Sequence, residues 1–310
     1  MTRLRRGLLF VPGTRPERIA KAAAMAVDGV ILDLEDAVAP AQKTQAREWV
    51  VAALRRVDFG HRERIVRINA AGTPEHAADL AAVVPVGLDA LLLPKLAEAA
   101  DVVRLDAEVA GLERASGRPP GGIRFHLLVE TVAAVVGLEA LARAVARAAA
   151  LFYGAGDLSR ETRARLVPDR LTELYAMSRI VLVARATGLD AIDSPCFDLG
   201  QPERLESHTR IGADLGFDGK ALIHPSQIEA ANRCFTPSPE AVAEAQRVLA
   251  AYQEAESGGR GALALEGQFV DAVHVHTARQ TLARAEMAAG RARGCARQGI
   301  ATFDGRSGSR

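Results

Sequence analysis

Cysteine is scarce in this sequence, and the three cysteines are widely spaced. Cys196, Cys234 and Cys295 form no CxxC pair, and no histidine lies at zinc-finger spacing from them. Neither a disulfide framework nor a structural zinc site is therefore indicated, and a reducing cytoplasm is the expected compartment.

Long apolar runs are missing as well. No stretch reaches the roughly 20 apolar residues that a membrane-spanning helix requires. The basic N-terminus leads into an apolar run of about four residues that stops at Pro12, too short for the apolar core of a secretory leader. We therefore expect no membrane association and no secretion.

Neither sign of charge is in excess. The 39 basic and 38 acidic side chains nearly cancel. Because such a balance produces no broad field toward nucleic acid or an anionic membrane, neither is expected as a partner. Any anionic ligand has to be held by a local cluster of charges.

What the 310 residues do contain is a repeated pairing of a short apolar run with an amphipathic stretch. This pattern is typical of a parallel sheet covered by helices. The predicted strands are residues 8–11, 30–34, 65–68, 90–93, 125–129, 151–153, 191–192 and 221–223. The predicted helices include residues 16–26, 42–56, 132–148 and 171–186.

Eight alternating units in about 225 residues match the size of a (β/α)8 TIM barrel. An open doubly wound sheet is the competing fold, but no G-x-G-x-x-G follows the first strand, and that fold usually carries fewer units. The prediction is an α/β barrel over residues 1–235. Residues 236–310 are expected to form a C-terminal helical extension that acts as a lid and ends in a disordered tail.

Charged side chains follow nearly every predicted strand, where a barrel enzyme places its active site. Each one alone is ordinary loop polarity. Five or more carboxylates on one rim, however, would repel one another unless a cation neutralised them. The polar residues at these strand ends include Asp33, Glu35, Asp36, Arg67, Lys95, Glu130, Asp157, Asp193 and His224.

The side-chain types at this rim favour a hard divalent ion. Oxygen donors without cysteine, and with few histidines, suit Mg2+, with Mn2+ as the alternative, better than zinc. Arg67 can bind a carboxylate through two N–H groups. A metal and an arginine together suit an oxo acid, whose keto and carboxylate oxygens can chelate the ion.

With these residues identified, the chain resembles the barrel enzymes that include the citrate lyase beta subunit, malyl-CoA lyase and citramalyl-CoA lyase (the HpcH/HpaI aldolase/citrate lyase superfamily). The resemblance extends over roughly residues 5–290, and its fragments occur in the expected order. They are LFVPG at 9–13, RPER at 15–18, ILDLEDAV at 31–38, VRIN at 66–69, LPK at 93–95, VET at 129–131, GFDGK at 216–220, IHP at 223–225 and FTPSPE at 235–240.

The resemblance implies that Glu130 and Asp157 ligate Mg2+ and that Arg67 holds the substrate carboxylate during catalysis. Asp33, Glu35, Asp36 and Lys95 would form a layer that hydrogen-bonds metal-bound waters and orients the arginine. A purely structural ion-pair cluster is the alternative for that layer. The chain departs from the family's Gly-Ala-Glu-Asp-Leu at Gly156, so substrate choice or metal affinity is expected to differ.

Three further roles follow from the resemblance. Asp271 would be the catalytic acid, on a segment that covers the barrel of a neighbouring subunit in a homotrimer or hexamer, and a helix N-cap is its alternative role. Phe10 and Lys21 match positions near the thioester or nucleotide of CoA, with core packing and helix surface as their alternatives.

The expected activity is a Mg2+-dependent lyase acting on a 3-hydroxyacyl-CoA such as malyl-CoA or citramalyl-CoA, giving acetyl-CoA plus glyoxylate or pyruvate. The alternatives are a citrate lyase beta subunit that uses an acyl carrier, a thioesterase, and a binding module that has lost its chemistry.

Overall fold

The computed structural model describes residues 3–259 and 261–301, and residues 292–301 by their backbone alone. The chain divides into two units, Arg5–Asn232 and the two chain ends, Met1–Leu4 with Arg233–Arg310. The division predicted from the sequence, after residue 235, lies three residues from the one observed. The disordered tail was expected at the end of the chain, and residues 302–310 of that end lie outside the described residues.

The first unit is a closed barrel of eight parallel strands in sequential order, which confirms the predicted fold. Strand β8 pairs with β1, with Gly7 opposite Lys220, and this pairing closes the sheet. The strands are β1 (Gly7–Pro12), β2 (Gly29–Asp33), β3 (Glu63–Arg67), β4 (Ala90–Leu93), β5 (Arg124–Val129), β6 (Ala148–Tyr153), β7 (Asp190–Asp193) and β8 (Gly219–Leu222).

Helices connect the strands, as the apolar periodicity predicts. Those of the barrel are α1 (Pro16–Ala22), α2 (Lys43–Arg56), α3 (His76–Val83), α4 (Ala99–Ala115), α5 (Val132–Val136), α6 (Leu138–Arg143), α7 (Ala155–Thr162), α8 (Leu174–Thr187), α9 (Pro202–Asp214) and α10 (Ile228–Cys234). Short 3-10 turns occupy Pro40–Gln42, Val84–Val86, Leu171–Glu173 and Pro225–Gln227.

One helix prediction is wrong. The single helix expected over residues 132–148 is two short helices separated at Gly137, and Ala148 already belongs to β6. Glycine is a poor helix former, and Gly137 leaves the helical conformation with φ −89° and ψ 14°. The run of alanines before β6 carries no signal that separates helix from strand.

The barrel interior is filled by apolar side chains from the strands, which pack in a common cluster with Phe10 at its edge. Ile31, Ile65 and Leu92 are fully buried in this cluster. Strands buried on both faces need continuous apolar runs, which is why the sequence shows them without alternation. This packed frame holds the residues at the carboxyl ends of the strands in fixed positions.

A closed cluster of charges lies at the carboxyl end of β7 and the start of β8. Asp193 accepts from Lys220 Nζ at 2.6 Å and from Arg170 Nη1 and Nη2 at 2.8 and 2.7 Å. Asp193 and Lys220 are 0% exposed and Arg170 is 1% exposed. The carboxylate at the end of β7 is therefore enclosed by two cations, and its function is structural.

The second unit contains α11 (Pro239–Ser257), a short antiparallel hairpin of β9 (Leu263–Leu265) and β10 (Gln268–Val270), and α12 (Ala272–Ala301). The helical extension was predicted, whereas the hairpin was not. Its turn consists of Glu266 and Gly267, both with positive φ, which suits a two-residue hairpin loop. Strands of three residues are too short for alternation to reveal them.

Among the described residues, no helix combines the length and the apolar character needed to cross a membrane.

We expect Asp193→Ala to lower the free energy of unfolding by about 3–5 kcal/mol, because Lys220 and Arg170 would stay buried without their counter-charge. Glu139→Ala serves as the control, since it removes an exposed pair with Arg143 and should change stability by less than about 0.5 kcal/mol. Urea unfolding measures both variants. A small, equal loss in the two would contradict the assigned role of Asp193.

Candidate active site

A cavity of about 430 Å3 opens at the carboxyl ends of the barrel strands. Its lining divides into a charged half, from the ends of β2, β3, β5 and β6, and an apolar half, from β6, β7, β8 and β1. Asp33, Asp36, Arg67, Glu130 and Asp157 belong to the charged half. Five of the predicted rim residues therefore meet in one cavity, whereas Glu35, Lys95, Asp193 and His224 do not line it.

Arg67 is bound by a carboxylate of its own chain. Its Nε and Nη2 donate to the two oxygens of Asp33 at 2.7 and 2.6 Å, and its guanidinium lies 5.0 Å from the ring centroid of Phe10. The forked contact that the sequence predicts for a substrate carboxylate is thus made to Asp33. The remaining nitrogen, Nη1, lies 2.9 Å from Glu35 and 3.6 Å from Asp36.

Glu35 and Asp36 link Arg67 to Lys95. Lys95 Nζ lies 4.0 Å from Glu35 and 3.9 Å from Asp36. Burial raises the pKa of Glu35 to about 8, although Arg67 opposes this shift. Of the three guanidinium nitrogens, Nη1 is the one that Asp33 does not bind.

Glu130 and Asp157 converge beside Lys95. Lys95 Nζ is 3.3 Å from Glu130 Oε1 and donates to Asp157 Oδ2 at 2.5 Å, so one ammonium contacts both carboxyl groups. Burial raises the pKa of Glu130 to about 7, with Lys95 opposing the shift. Burial also disfavours ionised Asp157, but its hydrogen bond from Lys95 outweighs this effect and lowers its pKa.

The backbone at Lys95 has an unusual conformation that serves this cluster. Its φ of 53° lies in the left-handed region, which a residue with a side chain adopts at a cost of about 1–3 kcal/mol. In this conformation the backbone N–H of Lys95 donates to Glu130 Oε1 at 2.8 Å while its ammonium reaches Asp157. One residue therefore binds both carboxylates, through its main chain and its side chain.

Gly154 allows Glu130 to occupy its position. A Cβ atom at Gly154 would lie 2.4 Å from Glu130 Cβ and 3.1 Å from Glu130 Oε2. Strands β5 and β6 pair Val129 with Tyr153, so the next residues along each strand, Glu130 and Gly154, are neighbours. Only glycine leaves room there for the carboxylate.

The donor set fits a hard divalent ion. Two converging carboxylates, one with a raised pKa, form a centre that a cation stabilises. Within the described ranges, no group of three or more histidine, cysteine, aspartate or glutamate side chains is arranged around a metal position. Mg2+ commonly uses one or two protein carboxylates and fills its octahedron with water and substrate oxygens. Glu130 and Asp157 are the residues that would hold it.

The other predicted site residues lie in different surroundings. Phe10 lines the cavity, whereas Lys21 is exposed near the end of α1 and does not line it. In the second unit, Asp271 precedes α12 and accepts a hydrogen bond from the Val273 N–H at 2.9 Å, and its Oδ1 lies 2.9 Å from His274 Nδ1. Asp271 therefore makes the N-cap contact that was its alternative role.

Two cavity residues escape the sequence reasoning. Arg160 Nη2 lies 2.6 Å from Asp157 Oδ1. Arg160 follows Asp157 by three residues on α7, and this helical spacing could have predicted the contact. Phe197 lies in the loop after β7 and lines the apolar half. No local pattern distinguishes Phe197 from an ordinary loop aromatic.

Fold and site together define a (β/α)8 barrel protein with a carboxylate-rich candidate metal centre. Residues 6–225 match the model of the HpcH/HpaI aldolase/citrate lyase family. The chain belongs to the HpcH/HpaI aldolase/citrate lyase family, which confirms the resemblance found in the sequence.

The chain is similar to named enzymes and to proteins whose structures have been solved. A (3S)-malyl-CoA thioesterase of Cereibacter sphaeroides is 39% identical over 281 residues, covering 91% of this chain and 94% of the relative. An L-malyl-CoA/beta-methylmalyl-CoA lyase of the same species is 36% identical, covering 90% and 94%. The crystal structure of CitE from Mycobacterium tuberculosis in complex with magnesium, acetoacetate and coenzyme A is 36% identical, with a TM-score of 0.75, and covers 91% of this chain and 98% of that chain.

Gly154→Ala should weaken Mg2+ binding at least about tenfold, because the new methyl group displaces Glu130. Gly111→Ala is the control, since Gly111 lies on α4, outside the cavity lining, and a Cβ there meets no heavy atom within 4 Å. Calorimetric titration with Mg2+ measures both variants. Unchanged binding in Gly154→Ala would argue against Glu130 as a ligand.

Proposed function

We propose that this protein is a Mg2+-dependent carbon–carbon lyase of CoA esters. It would cleave or form a 3-hydroxyacyl-CoA of the malyl-CoA or citramalyl-CoA type, giving acetyl-CoA plus glyoxylate or pyruvate. The observation that carries the proposal is the convergence of Glu130 and Asp157 in the cavity that Arg67 also lines. The names of the malyl-CoA relatives and the magnesium and coenzyme A in the CitE complex support it.

The chain's own residues divide the work of binding and polarisation. Glu130 and Asp157 would hold Mg2+, which when bound polarises the carbonyl of the oxo acid and lowers the energy of developing negative charge. Arg67, fixed by Asp33, would present Nη1 to the substrate carboxylate. Asp33, Glu35, Asp36 and Lys95 would set the position and charge of these groups.

Asp271 is proposed as the acid–base group for the acetyl carbon. The carboxylate of this aspartate is ionised near neutral pH and can accept a proton, although its contact with His274 lowers its pKa and so makes it a weaker base. The segment around Asp271 would act as a lid on the barrel of a neighbouring subunit. We accordingly propose a homo-oligomer, a trimer or hexamer, in the cytoplasm, with Phe10 and Lys21 near the CoA thioester.

A thioesterase is the second candidate, because a relative with 39% identity carries that name. A citrate lyase beta subunit is a further family activity, and it would require an acyl-carrier partner instead of free CoA esters. A binding module without chemistry would bind the same ligands and turn none of them over.

The decisive experiment incubates purified protein with Mg2+, acetyl-CoA and glyoxylate or pyruvate and follows the products by mass spectrometry. A new CoA ester supports the lyase. In a parallel incubation with malyl-CoA, release of malate and free CoA without acetyl-CoA or glyoxylate points to a thioesterase. Turnover only with an acyl carrier supports the citrate lyase subunit. Asp157→Ala should abolish turnover while the circular dichroism spectrum is retained, and Glu139→Ala, which changes an exposed side chain of α6, should remain fully active.

Asp271→Asn separates the two roles of Asp271. Asparagine caps helices about as well as aspartate but cannot accept the proton, so we expect folding to be retained and kcat to fall by about 10²–10⁴-fold. The measurement is steady-state kinetics beside a thermal melt. Full activity in Asp271→Asn would assign Asp271 to helix capping alone, and Asp271→Ala, which loses both roles, provides the comparison.

A further inference from the structure

The apolar half of the cavity bears on substrate choice. It is formed by Phe152 from β6, Pro195 and Phe197 after β7, Ala221 and Ile223 around the end of β8, and Phe10 from β1. No charged group from β7, β8 or β1 joins them among the residues lining the cavity. An oxo acid has two polar groups, keto and carboxylate, which the charged half can bind. Its third substituent then has the apolar half available.

Gly156 lies between the two halves and next to Asp157. It occupies the first turn of α7, where glycine is a poor choice for the helix, and its backbone is not left-handed. A Cβ atom there would have only Phe197 Cζ within 4 Å, at 3.6 Å. In contrast to Gly154, packing does not require glycine at this position. What Gly156 leaves is open space in the cavity lining beside the proposed metal ligand.

Phe197 faces that space. Its side chain is 52% exposed although it is a large aromatic in a cavity wall. The same residue also lines a second cavity of about 220 Å3, together with Ser194, Arg204 and His208. An apolar group bound against Gly156 would cover part of this ring.

We propose that Gly156 and Phe197 bound a recess for an alkyl substituent on the oxo acid, and that the enzyme therefore favours pyruvate and longer 2-oxo acids over glyoxylate. This inference rests on the proposed function and specifies its substrate class. Binding places the carboxylate at Arg67 and the keto oxygen beside Asp157, and Gly156, the neighbour of Asp157, borders the path of the alkyl chain. Each buried methylene should tighten binding about fourfold, the equivalent of about 0.8 kcal/mol.

The test compares glyoxylate, pyruvate, 2-oxobutanoate and 2-oxopentanoate. With acetyl-CoA and Mg2+, Gly156→Leu should lower the kcat/KM ratio of 2-oxobutanoate to glyoxylate at least tenfold, because the new side chain fills the recess. Phe197→Ala should shift the preference toward the longest acid, because its ring no longer limits the recess. Gly111→Leu is the control, since Gly111 lies on α4, away from the cavity lining, and a Cβ there meets no heavy atom within 4 Å.

Calorimetry of the same acids with Mg2+ but without acetyl-CoA measures the recess independently of turnover. Affinity that rises from pyruvate to 2-oxopentanoate in the wild-type protein, and not in Gly156→Leu, supports the recess. Unchanged selectivity among the oxo acids in both variants overturns the proposed recess. So does a result in which the variants change only the preference between propionyl-CoA and acetyl-CoA, because the recess would then hold the thioester's alkyl group. If no oxo acid is condensed with acetyl-CoA but affinity still rises with chain length, the result contradicts the proposed lyase activity and supports the recess.

Discussion

Two carboxyl groups that the barrel forces together, Glu130 and Asp157, are the constraint on which the site depends. Isolated in a partly buried cavity they would repel each other, so at least one has to be protonated or a cation has to lie between them. Lys95 supplies part of that charge, through an ammonium in contact with both groups and a strained backbone that donates to Glu130. This shortage of positive charge is what makes the cavity a place for a divalent ion.

The barrel imposes this arrangement through strand register. Pairing of Val129 with Tyr153 brings Glu130 beside Gly154, and the missing side chain at Gly154 gives the carboxylate its space. Asp33 and Arg67, the final residues of β2 and β3, are likewise paired in register, and their side chains join in a two-point contact. Neighbouring strand ends therefore supply pre-positioned pairs, so that residues distant in sequence meet without flexible loops.

The fold could be predicted because buried parallel strands leave continuous apolar runs, and a (β/α)8 barrel repeats that signal eight times. The meeting of Asp33, Arg67, Glu130 and Asp157 followed from their common place at strand ends. What the sequence could not show were effects of tertiary contact. The engagement of Arg67 by Asp33 depends on side-chain orientation, the apolar wall around Phe197 combines distant loops, and the hairpin before α12 is too short to leave a periodic pattern.

Two clusters of similar composition show how structural and functional charges differ. Asp193 meets Lys220 and Arg170, is fully enclosed, and has its pKa held far below the usual range by those cations despite burial. Glu130 lines a cavity where carboxylates outnumber the cations, and burial raises its pKa, as it does for Glu35 beside Arg67. A carboxylate already neutralised by its own protein has no use for a ligand's charge. Burial raises the pKa of Glu130 beside an open cavity, whereas two cations hold the pKa of the enclosed Asp193 low, and this difference separates the end of β5 from the end of β7 although both carry an acidic residue.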